Sequence, residues 1–153
     1  MKALSGRQPW WWAILSSALA SPKRIDNRSW NTHYRGPILL HAAQAAPQAE
    51  VEAALTWMID RRLIQRADWP GLDSVQRGGF VGRCHLVDVI PPGEPITALA
   101  VVRQHGVDLR WWMRDKYGFV LTDVEPLPFT PWPGALSLFN VPEHVTFVTD
   151  PGK

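Results

Sequence analysis

Residues 23–43 read KRIDNRSWNTHYRGPILLHAA. Ile25 to Trp30 and Pro37 to Ala42 have the make-up of two short strands, joined by a polar loop that contains Gly36. If 24–30 is extended, side chains alternate and Arg24, Asp26, Arg28 and Trp30 share one face. Asp26 is then a carboxylate between two arginines, able to orient their guanidinium groups. Lys23 sits at the turn after Pro22, and Tyr34 lies across the loop from Trp30. Packing against a core does not call for that mixture. Guanidinium groups for phosphates beside aromatic planes for bases are what proteins use to hold single-stranded nucleic acid or an extruded base. The plainer reading is a surface ladder of ion pairs with Trp30 in the core, since tryptophan is mostly buried in folded proteins.

Upstream, Met1 to Ser5 reads as a strand and Pro9 to Ala20 as the first helix, with proline acceptable in its first turn. The same segment, MKALSGRQPWWWAILSSALAS, has a basic start, an apolar run over 10–20 and an Ala-Leu-Ala ending, which imitates a secretory signal peptide. The run is too short to span a bilayer. The expectation is a largely buried helix in a cytoplasmic protein. Downstream, 47–66 carries the clearest helical pattern: Val51, Ala54, Leu55, Met58, Ile59 and Leu63 fall on one face. Pro47 and the acids Glu50 and Glu52 suit its start, and Arg61, Arg62 and Arg66 its end. Phe80 to Ile90 reads as a strand with Phe80, Cys84, Leu86 and Ile90 on one face, and PPGEP (91–95) as a turn. Residues 96–113 are ambiguous between helix and loop. Tyr117 to Thr122 and Val145 to Thr149 read as further strands. The fourteen prolines lie mostly outside the two helices, which favours many short elements over a helical bundle. The fold class is α+β, one domain over 1–153, with a small curled sheet and two or three helices.

With 153 residues and 46% hydrophobic content, the chain can bury a real core. Its net charge is only +2, but the charge is uneven. Residues 1–36 hold six basic side chains against Asp26 alone, while the remainder holds ten basic and thirteen acidic ones. Such asymmetry points to an anionic partner, although exposed strand edges also carry Lys and Arg for solubility. The single cysteine, Cys84, excludes an internal disulfide or a cysteine-based zinc site and reads as a small buried hydrophobe. The five histidines show no metal-binding spacing. No cofactor or metal is expected, and no membrane partner.

The chain resembles the ASCH-domain family of the PUA-like superfamily. The resemblance rests on KALSGRQPW (2–10), KRIDNRSWNTHYRGPILLHAA (23–43), GGFVGRCHLVDV (78–89), YGFVL (117–121) and GALSLFNV (134–141). It implies a small, partly closed β-barrel flanked by two or three helices, with a cleft beside the first helix. It also implies RNA or DNA binding, or reading of a modified base. Some members are hydrolases that cleave RNA or deacylate a modified cytidine. Two departures stand out. Asp26 occupies a place where glutamate is usual, and the segment 92–112 is longer than in compact relatives. In the small deacylating members a lysine and a residue three positions later carry the chemistry, which here match Lys23 and Asp26. Those enzymes have threonine at the later position, and their glutamate is matched only by proximity, to Glu50 or Glu52.

Two functional classes follow. In a binding module, Arg7, Gln8, Lys23, Arg28 and Arg35 contact phosphates or base edges, and Trp10, Trp30 and Tyr34 supply stacking walls for RNA, single-stranded DNA or a modified nucleoside. In a hydrolase, a ribonuclease or an acylcytidine amidohydrolase, Lys23 is desolvated by nearby tryptophans and acts as base or nucleophile beside Asp26. The binding class leads, because a lysine next to an aspartate is more often an ion pair than a catalytic pair. A third reading, weaker still, is a protein-interaction module using exposed tryptophans.

Overall fold

The two strands flanking the polar loop form, but they do not pair with each other. In the computed structural model, which describes residues 1–143, the elements run β1 (Lys2–Gly6), α1 (Trp10–Leu15), β2 (Ile25–Arg28), β3 (Gly36–Ala42), α2 (Gln48–Asp60), β4 (Gly79–Ile90), α3 (Pro95–His105), β5 (Tyr117–Pro131) and β6 (Leu138–Asn140). All six strands join one mixed sheet in the order β2-β5-β4-β3-β1-β6. Only β1 and β3 are parallel; every other pair is antiparallel. The loop therefore carries the chain from one sheet edge to the middle. The result is α+β, a small curled and partly closed barrel with helices on its flanks, as expected.

Burial divides the fold into an inside and an outside. The inner face collects Leu4, Trp11, Ile14, Ile38, Leu40, Cys84, Leu86, Phe119 and Leu121. The outer face of β2 and β5 gives Ile25 and Val120 to a second cluster with Leu55 and Met58 of α2, Ala98 and Val102 of α3, and Trp111 and Trp112. Alternation along β2 thus sends Ile25 outward and Asp26 inward. Burial pushes the Cys84 thiol up to about 12, with Asp26 adding to the effect; it packs as the small hydrophobe expected.

Several boundaries differ from the sequence reading. The first helix ends at Leu15, not Ala20. The apolar run beyond it is irregular chain, and only Leu19 of that tail is buried. The central helix stops at Asp60 although its apolar periodicity runs on to Leu63. Arg62 takes a left-handed φ of 60°, and the amides of Arg62 and Leu63 bond back to the carbonyls of Ile59 and Met58 at 2.9 and 3.0 Å. This Schellman closure folds Leu63 back onto the core, so burial continues while the helix does not. An arginine there carries a left-handed penalty that glycine escapes. Arg62→Gly is expected to raise stability by about 0.5–1 kcal/mol, read as a higher urea midpoint at unchanged slope. An unchanged or lower midpoint would remove this account of the helix end.

The ambiguous stretch 96–113 resolves into α3 and a 3-10 turn over Leu109–Trp111. Its periodicity is blurred because Ile96 and Leu99 face solvent while Ala98 and Val102 face the core. β5 runs nine residues past Thr122, through three prolines. The ladder to β4 tolerates them because its register shifts at several points, among them between Arg83 and His85. The expected strand at 145–149 lies outside the described residues. Among those described, no helix is long and apolar enough to cross a membrane.

Candidate nucleobase site beside α1

Lys23 enters the protein by way of a tethered approach. Its backbone N–H bonds the Ala13 carbonyl of α1 at 3.2 Å. Just upstream, the Ser21 hydroxyl donates to Asp108 Oδ2 at 2.6 Å and the Ser21 carbonyl accepts from Trp111 Nε1 at 3.1 Å. The lysine side chain is 1% exposed. Its Nζ donates to the Ile25 carbonyl, lies 3.7 Å from Asp26 Oδ1 and sits 5.4 Å from the centre of the Trp10 ring. Burial is the main cause that lowers its pKa from the ordinary 10.5 to about 8; Asp26 opposes the fall and Arg28 adds to it. A charged amine is here held against its own desolvation by one carboxylate.

Asp26, 5% exposed, faces two cations. They are not the two arginines expected from strand alternation. Arg28 Nε donates to Asp26 Oδ2 at 2.6 Å, whereas Arg24 turns away and donates to the carbonyls of Ile14 and Lys23 at 2.9 and 3.0 Å. Arg24 thereby ties β2 to the end of α1. Lys23 takes its place as the second partner. Arg28 also lies over the Trp11 ring at 5.5 Å and donates through Nη1 to the Ser5 carbonyl of β1 at 2.9 Å.

Trp10, Lys23, Asp26, Asn27 and Met113 line a cavity of about 180 Å³. A second of about 210 Å³ adjoins it, sharing Trp10, Asp26 and Asn27 and adding Gly6, Arg7, Gln8, Arg28 and Glu50. The site thus gathers Arg7, Gln8, Trp10, Lys23, Asp26 and Arg28 from the residues named by sequence. Trp30, Tyr34 and Arg35 line neither cavity. Trp30 packs edge-on to Phe119 with ring centres 5.1 Å apart, the plainer of its two readings. Tyr34 donates its hydroxyl to the Pro37 carbonyl at 2.7 Å, and Arg35 donates to the carbonyls of Thr32 and Tyr34. These three shape the loop.

No protein-family model matches the chain, and none of the curated proteins matches its sequence.

The arrangement has been partly neutralised from within. Arg7 is paired with Glu50 and Arg28 with Asp26, so the basic surplus of residues 1–36 is not simply free charge in the cleft. Gln8 is consumed too, donating to the Gln76 carbonyl at 3.1 Å and accepting from the Trp12 amide at 2.8 Å. Glu52, the other glutamate considered, is bound to Arg66 on the helix surface. Asn27 and Met113 were not identified from sequence. Asn27 donates to the Trp111 carbonyl at 2.9 Å and accepts from the Met113 amide at 2.8 Å, which fixes the far wall.

One serine–histidine pair does exist, away from these cavities. His41 Nε2 lies 2.6 Å from the Trp132 carbonyl, to which it can only donate, and Nδ1 shares a hydrogen bond of 2.9 Å with the Ser5 hydroxyl. Gly134 closes over the ring; a Cβ there would come within 2.9 Å of His41 Cε1. The pair satisfies a core histidine. Among the described residues no group of three His, Cys, Asp or Glu side chains could hold a metal ion.

Proposed function

We propose that the protein is a nucleic-acid-binding module of the ASCH type that takes one unstacked base of a single strand into the cavity beside Lys23. The observation that carries this is the lysine itself: an enclosed amine at the floor of a cavity with an indole as its wall. The cavity is smaller than the roughly 300–1,000 Å³ typical of whole-ligand pockets, which suits a single ring system without sugar and phosphate. Trp10 offers a stacking surface, and the Nζ proton of Lys23 directed at neither Ile25 nor Asp26 can donate to an exocyclic oxygen or ring nitrogen. The burial of Trp11, Ala13, Ile14 and Leu19 supports residues 10–20 as part of the folded domain.

The test is a titration with one oligonucleotide sequence as a single strand and as a duplex, in RNA and DNA, against wild type and Trp10→Leu. Single strands should bind well and the duplex poorly, because a paired base must first be unstacked. Loss of one stacking contact is worth about 1–3 kcal/mol, or roughly 5- to 150-fold in affinity. Thermal melting of Trp10→Leu separates lost binding from lost folding. Equal affinity for duplex and single strand, or no loss in a folded Trp10→Leu, would end this reading.

A specific observation also favours the hydrolase reading. With its pKa near 8, Lys23 holds an appreciable fraction of free amine at neutral pH, as a base or nucleophile requires. Against it, Asp26 is already engaged by Arg28 at 2.6 Å, and Glu50 by Arg7, so neither carboxylate is free for proton transfer.

A further inference from the structure

Met113 stands between the cavity beside Lys23 and a second space, and lines both. The same residue lines a broader groove of about 720 Å³, whose other walls are Trp57 and Arg61 at the end of α2, Pro92 and Gly93 after β4, and Arg114 and Asp115. The hydrogen bond from the Met113 amide to Asn27 holds this junction in place. One compartment has the volume of a ring; its neighbour falls in the range that takes a larger ligand.

Trp57 is fixed on two sides. Its ring stands edge-on to Trp10 at 5.6 Å and tilted to Trp111 at 6.4 Å. Arg61 stacks on it, with Cζ 4.3 Å from the ring centre. A guanidinium held by its face keeps its in-plane N–H edge free to donate. Arg61 is exposed, and among the described residues no carboxylate forms an ion pair with it. Arg114 differs: it is paired with Glu94 at 2.9 Å and donates to the Gly93 carbonyl at 3.1 Å. Asp115 adds a negative charge to the same wall. The groove is therefore not a continuous basic track. It presents one uncommitted, pre-oriented cation, a fit to a single phosphate.

We propose that this groove receives the nucleotide adjacent to the one whose base enters the Lys23 cavity, with Arg61 donating to the phosphate between them. The inference rests on the base-binding reading above and adds the ligand class: a single strand of two or more nucleotides, not a free nucleoside. Arg61 supplies affinity without reading sequence, as phosphate contacts do. Its stacked geometry spares the ordering that a free arginine side chain would undergo on binding.

The experiment compares a mixed-sequence hexanucleotide, as RNA and as 2′-deoxy strand, with the individual nucleosides. Wild type, Arg61→Gln and Arg61→Lys are titrated over a range of salt. Wild type should bind a hexanucleotide of either sugar type at least tenfold more tightly than any nucleoside. Arg61→Gln should lose about fivefold or more on the hexanucleotide and reduce the slope of log K against log salt by about 0.7, the value for one contact on a single strand. Its nucleoside affinity should be unchanged. Arg61→Lys should keep the slope. Nucleosides that bind wild type as tightly as the hexanucleotide, or an Arg61→Gln protein with unchanged slope and affinity, would overturn the groove while leaving the Lys23 cavity intact. Failure of wild type to bind nucleosides and hexanucleotides alike would remove the base-binding reading and this inference with it.

Discussion

Asp26→Asn should cost about 3 kcal/mol or more of folding stability at pH 7, because it leaves Lys23 and Arg28 without their shared counter-charge. The figure belongs to broken buried pairs, and here two cations depend on one carboxylate. The pH dependence identifies the cause. In the wild type Lys23 is held at about 8 against an ordinary 10.5. Between those values the unfolded chain binds more protons than the folded one, so stability from this group rises with pH. The desolvation cost is fully present below pH 8 and relieved towards 10.5, an effect of roughly 3 kcal/mol. Without Asp26 the folded pKa falls further and the window widens downward. The deficit of Asp26→Asn should therefore shrink when urea unfolding is repeated at pH 9.5. A loss below about 1 kcal/mol, or one that does not change with pH, would mean that Asp26 does not support these cations.

The second large effect separates binding from catalysis. If the Lys23 ammonium donates to a base, Lys23→Met removes a charged hydrogen bond worth about 1.5–3 kcal/mol, roughly 10- to 150-fold in affinity. Wild-type affinity should then fall as pH rises through about 8, the value at which Lys23 loses its proton, and the fall should be absent in Lys23→Met. A base or nucleophile behaves in the opposite sense, with turnover rising through the same pH. Lys23→Arg adds a check, since arginine keeps charge but cannot shed its proton. Single-stranded RNA and acylated cytidine are the substrates to follow for cleavage and deacylation. Rate increasing through pH 8 in wild type and lost in Lys23→Arg would make the protein an enzyme and displace the binding reading.

What the sequence made legible was local. Lys23, Asp26 and Arg28 lie within six residues, so alternation along one strand was enough to bring the carboxylate and the arginine together. Trp10 was named only through the family resemblance, which implies a cleft beside the first helix. Arg24 was misassigned because alternation gives the face of a side chain and not its partner; the free carbonyls at the end of α1 compete for it. Met113, Trp57 and Arg61 were out of reach for a different reason. Their placement around Trp10 and the Lys23 cavity depends on how α2 and the segment after α3 dock on the outer face of the sheet, a matter of tertiary packing with no spacing signature. The neutralisation of Arg7 by Glu50, 43 residues away, was invisible on the same ground, which is why counting charge over residues 1–36 overstated what the cleft offers a phosphate.

Arg28 has a mechanical role as well as an electrical one. β2 closes one edge of the sheet, and β1 lies next to the other. The bond from Arg28 to the Ser5 carbonyl bridges the open seam between them, with Asp26 holding the opposite side of the same guanidinium. It works as a clasp. An anion that draws Arg28 off the Ser5 carbonyl would unhook β1 from β2 and let the seam part, coupling occupancy of the cleft to the width of the barrel mouth. Amide hydrogen exchange along Lys2–Gly6 would register that parting.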